Sequence, residues 1–205
     1  MPPHTITSLA DLETLYAQPA PASLAKEVDY LHPHYRAFVE VAPFCLLSTS
    51  NATGGDCSPR GDAPGFVQVL DDRTLLLPDR RGNNRIDSLR NIVTDPRVGL
   101  LFLIPGINET LRISGTATIS TDPALLERYT VDGKPPTTVL VIAIQTVYFQ
   151  CARALVRSHL WSPEAQIARS ALPSTGTMVA TLSQNAIDGE AYDRELPERL
   201  RKTLY

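Results

Sequence analysis

The chain has 205 residues, of which 43% are hydrophobic and 20% are charged, and its formal net charge is −3. This composition excludes a disordered or fibrous chain, and the acidic excess argues against a nucleic-acid partner held by electrostatic attraction. The longest apolar runs, at 98–104 and 139–144, are far shorter than the ~20 residues of a membrane-spanning helix, so no membrane partner is expected.

The first forty residues have apolar side chains at helical spacing, and beyond Pro43 the spacing shortens to that of strands. The first half of the chain is predicted to form helices at 8–16, 23–30 and 34–41, a strand at 44–49, a turn at 51–56 and a hairpin of strands 66–70 and 74–78. The second half is predicted to form a helix at 84–93, strands at 98–104 and 111–118, a helix at 123–129 and a strand at 138–154. A helical tail, interrupted at 174–176, follows Trp161.

About six strands with interposed short helices indicate a mainly β fold, an antiparallel barrel that is closed or half-closed rather than a doubly wound parallel sheet. We expect one domain over residues 1–205, with helical extensions at 1–42 and 162–205. No interdomain linker or internal repeat is present in the sequence.

Three cysteines are too few and too widely spaced for a disulfide framework or a zinc site. Cys45 and Cys151 lie in apolar runs and are predicted to be core residues, whereas Cys57 lies in a polar stretch and is predicted to be exposed. The N-terminal residues lack the basic-then-apolar order of a secretory signal, so we expect a cytoplasmic protein.

The sequence contains no dinucleotide, nucleoside-triphosphate, hydrolase or zinc-protease motif, and its four histidines form no metal pattern. No metal is therefore expected. A chain without its own acid–base machinery often takes its chemistry from a cofactor.

The stretch at 75–89 is the strongest candidate for a binding site. A buried strand ends there in a turn with Arg80, Arg81 and Arg85 next to Asn83 and Asn84, and a helix begins at once. Free N–H groups at a helix start and guanidinium groups together bind phosphate. A solvated basic turn is the alternative interpretation.

Arg60 is a second candidate, because Gly61 and Gly65 beside it allow a flat ligand to approach the backbone. Its side chain is predicted either to face a ligand phosphate or ring oxygen or to be an exposed turn arginine. Arg112 is predicted to lie on the strand face opposite Leu111, where it is either a surface charge or the lining of a groove.

The segment 152–161 places arginines beside the sole tryptophan, Trp161, which is typical of an interface or of an aromatic lid rather than of a catalytic group.

Five segments together resemble the pyridoxamine 5'-phosphate oxidase-like split-barrel flavoproteins, and within them a short-chain branch of FMN-dependent enzymes. These segments are SPRGD at 58–62, LLLPDRRGNNRIDSLRNI at 75–92, DPRVGLLFLIPG at 95–106, ETLRISGTA at 109–117 and RSHLW at 157–161. The resemblance covers roughly residues 25–165 and implies an antiparallel six-stranded split β-barrel.

The resemblance also implies a homodimer with FMN at the interface. The phosphate would be bound by Asn83, Asn84 and Arg85 beside Arg80. Pro78 and Asp79 would lie beside the ribityl chain and ring, and the backbone of Arg60, Gly61 and Asp62 would face the isoalloxazine. Arg112 would come from a neighbouring strand of this subunit or its partner, and Ser158 and Trp161 would close the site.

Pyridoxamine phosphate oxidase itself has a C-terminal substrate-binding motif that the tail RELPERLRKTLY does not reproduce, so the substrate is an unidentified small molecule. Some relatives bind deazaflavin or haem, but a cluster suited to one terminal phosphate favours FMN.

Two hypotheses about function follow. One is an FMN-dependent oxidoreductase that transfers hydride, with Arg60 or Arg112 stabilising the reduced flavin. The other is a non-catalytic flavin-binding protein that stores or senses flavin.

Overall fold

A computed structural model describes residues 4–205. Its strands are β1 (Phe44–Asn51), β2 (Gly54–Gly61), β3 (Gln68–Asp71), β4 (Thr74–Asp79), β5 (Arg97–Leu103), β6 (Thr110–Ser120) and β7 (Thr138–Gln150). Its α-helices are α1 (Leu9–Glu13), α2 (Pro21–Ala25), α3 (Pro33–Val41), α4 (Asp87–Thr94), α5 (Pro123–Glu127), α6 (Arg153–Ser158), α7 (Thr175–Leu182) and α8 (Gly189–Thr203). Two short 3-10 turns lie at Pro163–Ala165 and Arg169–Ala171.

All neighbouring strands pair antiparallel, in the order β2-β1-β5-β6-β7-β4-β3. The predicted antiparallel, mainly β fold with short helices is therefore confirmed, but the described sheet has seven strands rather than six. The missed strand is β2, part of which was predicted to be a turn. It contains three glycines and a proline, and an edge strand tolerates such residues because only one of its sides is paired.

The sheet curls around one apolar core. Leu47 of β1, Leu75 of β4, Leu100 of β5 and Ile142 of β7 are fully buried and belong to the same cluster. In β5 and along most of β6, every second residue is buried, as the two-residue period of a strand requires. Val39 of α3 packs against the same core.

The two ends of the sheet come together on the outside of this core. β2 is an edge strand and β4 lies next to the opposite edge, yet Arg60 Nη1 of β2 donates to Asp79 Oδ1 of β4 at 2.8 Å. No ladder of backbone hydrogen bonds joins these two described strands. The architecture is therefore a split barrel, with side chains bridging the split.

The predicted end of the last strand and the predicted burial of Cys151 were wrong. The strand predicted at 138–154 ends at Gln150 and is followed by α6. Cys151 is consequently exposed rather than in the core, whereas Cys45 is buried and Cys57 is exposed as predicted. Burial raises the pKa of the Cys45 thiol to about 12, although the charge of Arg60 opposes this effect.

The tail beyond Trp161 ends in a helical hairpin formed by α7 and α8. The predicted interruption at 174–176 is instead the start of α7, because the Ser174 hydroxyl accepts a hydrogen bond from the Thr177 N–H and caps the helix. Gly176 and Gly189 allow the close contact of the two helices, since a Cβ on Gly176 would lie 2.0 Å from the Gly189 oxygen. Within residues 4–205, no helix is both long and apolar enough to cross a lipid bilayer.

Candidate functional site

A cleft of about 620 Å³ opens at the split of the barrel, between β2, β4 and the start of α4. Its size lies within the range of small-molecule and cofactor sites. The cleft is rich in basic and amide side chains, which come from Arg60, Arg80, Arg81, Asn83, Asn84 and Arg85. It is therefore suited to an anionic ligand.

The loop between β4 and α4 forms the basic wall of this cleft. The Asn83 side chain accepts a hydrogen bond from the Arg85 N–H at 3.0 Å, and Arg85 Nε donates to Asp87 Oδ2 at 2.8 Å. Ile86 precedes α4 in a left-handed conformation and offers no side-chain cap. The first N–H groups of α4 thus lack a capping side chain, and such groups at the positive end of a helix bind anions.

Two ion pairs link β2 and the residue after it to the end of β4. Arg60 pairs with Asp79 at 2.8 Å, and Arg80 Nε pairs with Asp62 Oδ2 at 2.7 Å. Burial alone would raise the pKa of Asp62, but hydrogen bonds from Tyr205, the Ala63 N–H and Arg80 outweigh it and lower that pKa. Asp62 is thus an anion at neutral pH.

Arg60 has a further donor to offer. Its Nε atom is buried and has no hydrogen-bond partner among the described residues, while its Nη1 is held by Asp79. A buried donor without a partner is costly unless a ligand or water accepts its hydrogen bond. The guanidinium is therefore held in place with one N–H free to bind.

A hydroxyl chain lies on the β2 side of the cleft. Ser88 of α4 donates to Asp56 Oδ2 at 2.6 Å, and its Oγ lies 3.0 Å from Ser58 Oγ. Sequence reasoning did not single out Asp56, Ser58 or Ser88. The sequence gives little indication of this group, because Asp56 is predicted to lie in a turn. Only the folded barrel brings β2 against α4.

Nine of the twelve site residues predicted from the sequence surround the split. Six line the cleft itself, namely Arg60, Asp79, Arg80, Asn83, Asn84 and Arg85. The other three line an adjoining pocket of about 500 Å³ and are Gly61, Asp62 and Pro78. Tyr205 also lines this pocket, and the sequence contained no signal for it.

The remaining three predicted residues do not line the cleft of their own subunit. Arg112 is exposed and lies 5.7 Å from the ring centre of Tyr148. Trp161 Nε1 donates to the Ile107 carbonyl at 2.8 Å, and Ser158 Oγ donates to the Leu155 carbonyl.

Fold and site together define a split-barrel protein with a cleft rich in basic and amide side chains. A family model described as pyridoxamine 5'-phosphate oxidase matches residues 31–151, which is more than half of the chain. The chain therefore belongs to the pyridoxamine 5'-phosphate oxidase family. No curated protein matches it.

Solved structures were also compared with the chain. HupZ of Group A Streptococcus is 16% identical, with a TM-score of 0.48 over 58% of this chain and 92% of that chain. A Clostridium acetobutylicum protein related to general stress protein 26 is 16% identical, with a TM-score of 0.45 over 57% and 85%. General stress protein 26 of Bacillus anthracis is 17% identical, with a TM-score of 0.41 over 55% and 88%.

Proposed function

We propose that the protein is an FMN-dependent oxidoreductase that uses the flavin to transfer hydride to or from a small molecule. The observation that carries the proposal is the basic loop at 80–85, which leads into an uncapped helix start at the mouth of the cleft. This arrangement suits one terminal phosphate. No glycine-rich pyrophosphate turn accompanies it in the sequence.

The donors around the cleft fit the chemistry of FMN. Arg85, Asn84 and the first N–H groups of α4 would hold the phosphate, and Pro78 and Asp79 would border the ribityl chain. Arg60 would offer its free Nε to the ring system, because an oxygen there would give this buried donor a partner. Its positive charge would stabilise negative charge on the ring. When bound, FMN supplies the hydride-transfer chemistry.

We propose further that two subunits share each site. Arg112, Ser158 and Trp161 would cover the flavin bound by the partner subunit, since none of them lines the cleft of its own subunit. Val156 and Leu160, on either side of Ser158, are about half exposed in the single subunit. A two-fold interface would cover these apolar side chains.

One observation favours flavin binding without turnover as a second candidate. Each carboxylate that lines the cleft already has a partner: Asp79 binds Arg60, Asp87 binds Arg85 and Asp56 binds Ser88. A general acid or base must exchange a proton with the substrate, and each of these carboxylates is already engaged by another side chain of the protein. A storage or sensor protein needs no such group.

The pigment released on denaturation tests the proposal. We expect a yellow protein that releases FMN, identified by chromatography against FMN and FAD standards. Recovery of FAD, or no flavin uptake by the apoprotein, would overturn the assignment.

Anaerobic addition of a nicotinamide cofactor separates the two candidates. An oxidoreductase bleaches and is reoxidised by an added acceptor, whereas a storage or sensor protein keeps its oxidised spectrum.

A further inference from the structure

Tyr205, which follows α8, joins the helical hairpin to the rim of the cleft. α7 and α8 pack chiefly on each other, and neither lies along a strand of the barrel. The Tyr205 hydroxyl donates to Asp62 Oδ1 at 2.8 Å, and the centre of its ring lies 5.3 Å from the Arg80 guanidinium carbon. Lys134 Nζ donates to the main-chain oxygen of Tyr205 at 3.2 Å. Tyr205 is thus a direct link between the end of the hairpin and the barrel.

Both side-chain partners of Tyr205 belong to the candidate site. Asp62 and Arg80 form the ion pair beside the split, and their side chains are only 6% and 18% exposed. The Tyr205 phenol occupies a second acceptor position of Asp62, and its ring covers the guanidinium of Arg80. Tyr205 therefore contacts both members of the ion pair, beside the Ala63 N–H that binds Asp62 and the Tyr129 carbonyl that accepts from Arg80.

Tyr205 also separates two spaces next to the cleft. One is the pocket of about 500 Å³ that includes Arg60 and Phe66. The other, of about 330 Å³, is lined by Lys134 and by Arg81, and no acidic side chain lines it. Because Tyr205 borders both, removing its side chain would open one space to the other.

We propose that Tyr205 is a positioning residue of the flavin site, which holds Asp62 and Arg80 in their paired arrangement and closes this end of the cleft. The proposal depends on the proposed function for the identity of the ligand. The contact of Tyr205 with the barrel does not depend on it.

Three variants separate the two parts of the side chain. Tyr205→Phe keeps the ring over Arg80 and removes the hydrogen bond to Asp62, whereas Tyr205→Ala removes both. Tyr192→Ala is the matched control. The ring of Tyr192, like that of Tyr205, lies against an arginine, with its centre 4.1 Å from the guanidinium carbon of Arg199, but Tyr192 lines neither pocket. A positioning role predicts that Tyr205→Phe is intermediate between the wild type and Tyr205→Ala, both in amide exchange and in the rate of FMN release.

Hydrogen exchange on the protein without flavin tests the contact itself. We expect the amides of 189–203 and of 58–62 to exchange about ten-fold faster in Tyr205→Ala than in the wild type, with Tyr205→Phe between them. In Tyr192→Ala the amides of 58–62 should keep the wild-type rate. Equal rates at 58–62 in Tyr205→Ala and the wild type would overturn the proposal.

The dissociation rate of FMN, measured by displacement in a stopped-flow instrument, tests the effect on the site. We expect release about ten-fold faster from Tyr205→Ala, an intermediate rate from Tyr205→Phe and the wild-type rate from Tyr192→Ala. Unchanged release from Tyr205→Ala would refute the positioning role. If the wild-type protein binds no FMN, the proposed function fails, and hydrogen exchange still decides whether Tyr205 holds the rim closed.

Discussion

Ile86 has the least favourable backbone conformation of the candidate site. It is β-branched and lies in the left-handed region, with φ 53° and ψ 25°, directly before α4. A non-glycine residue held in this region costs about 1–3 kcal/mol and persists only where its surroundings determine it. The bonds of Asn83 and Asp87 to Arg85 hold the loop on either side. Strain at this position is consistent with a loop shaped for a ligand.

Arg85→Ala is expected to weaken FMN binding by about one to two decades. A charge-assisted hydrogen bond to phosphate contributes about 1.5–3 kcal/mol, and the folded state loses little because the ion pair with Asp87 is largely exposed. Fluorescence titration of the apoprotein measures the affinity. Arg90→Ala, an exposed arginine later in α4, is the control. Equal affinity of Arg85→Ala and the wild type would make Arg85 a surface charge.

The contact between Tyr205 and Asp62 is expected to depend on pH at both extremes. Hydrogen bonding to the Asp62 carboxylate, followed by its charge, raises the pKa of Tyr205 above 10.0, while the pKa of Asp62 is lowered below 3.8. The contribution of Asp62 is therefore complete above pH 3.8 and is lost as the pH falls through its lowered pKa. The contribution of Tyr205 is complete below pH 10.0 and is lost as the pH rises through its raised pKa.

Tyrosine absorbance during an alkaline titration measures the second effect. Besides Tyr35 and Tyr129, whose pKa values are raised by burial, the wild type should contain a tyrosine that ionises above the ordinary range and is absent from Tyr205→Phe. Asp62→Asn should return that tyrosine toward its ordinary pKa. If the tyrosine lost from the titration curve of Tyr205→Phe is one that ionises at its ordinary pKa, the prediction is wrong.

Among the elements, β6 and β7 show how closely the backbones of the barrel approach. Their register shifts at Ser114 and Gly115, where a bulge interrupts the ladder. A Cβ on Gly115 would lie 2.1 Å from the Ala143 carbonyl oxygen, so any side chain there displaces the backbone of β7. The bulge therefore requires glycine.

Gly115→Ala is expected to destabilise the protein by about 1–3 kcal/mol or more, because forced overpacking shifts a central strand. Gly99→Ala is the matched control, since it lies on the neighbouring strand β5 and its Cβ would make an ordinary contact of 3.7 Å with Ser48. Urea unfolding of the two variants measures the free energy of unfolding. Equal losses in the free energy of unfolding would show that the bulge accommodates a side chain as easily as Gly99 does.

For the whole molecule, we expect a two-fold homodimer with two flavin sites built across the interface. Leu160→Glu should shift the protein toward monomer, because it would place a charge in an apolar interface, and should lower FMN affinity as well. Sedimentation equilibrium gives the oligomeric state. Leu9→Glu, at an exposed leucine of α1, is the control.

Trp161→Ala separates coverage of the flavin from dimerisation. We expect the variant to remain dimeric and to bind FMN more weakly, as fluorescence titration measures. A wild-type monomer that binds FMN at full affinity would refute the shared site.

The sequence alone indicated the family, the antiparallel, mainly β character of the fold and the basic loop before α4. The strands and the loop are local features, since alternation along a strand, a turn of arginines and asparagines and a helix start are each visible within about fifteen neighbouring residues. The family resemblance required five segments between 58 and 161 taken together. The loop residues Asn83, Asn84 and Arg85 were therefore identified without any tertiary information.

Only the tertiary structure decided how the barrel splits and what lies at its rim. β2 is a strand because β1 pairs with it, and Asp62 meets Arg80 and Tyr205 across 18 and 143 residues of sequence. Local patterns contain no information about such contacts, because they form only when the curled sheet brings its two ends together. The same applies to Arg112, Ser158 and Trp161, which the folded chain leaves outside the lining of the cleft.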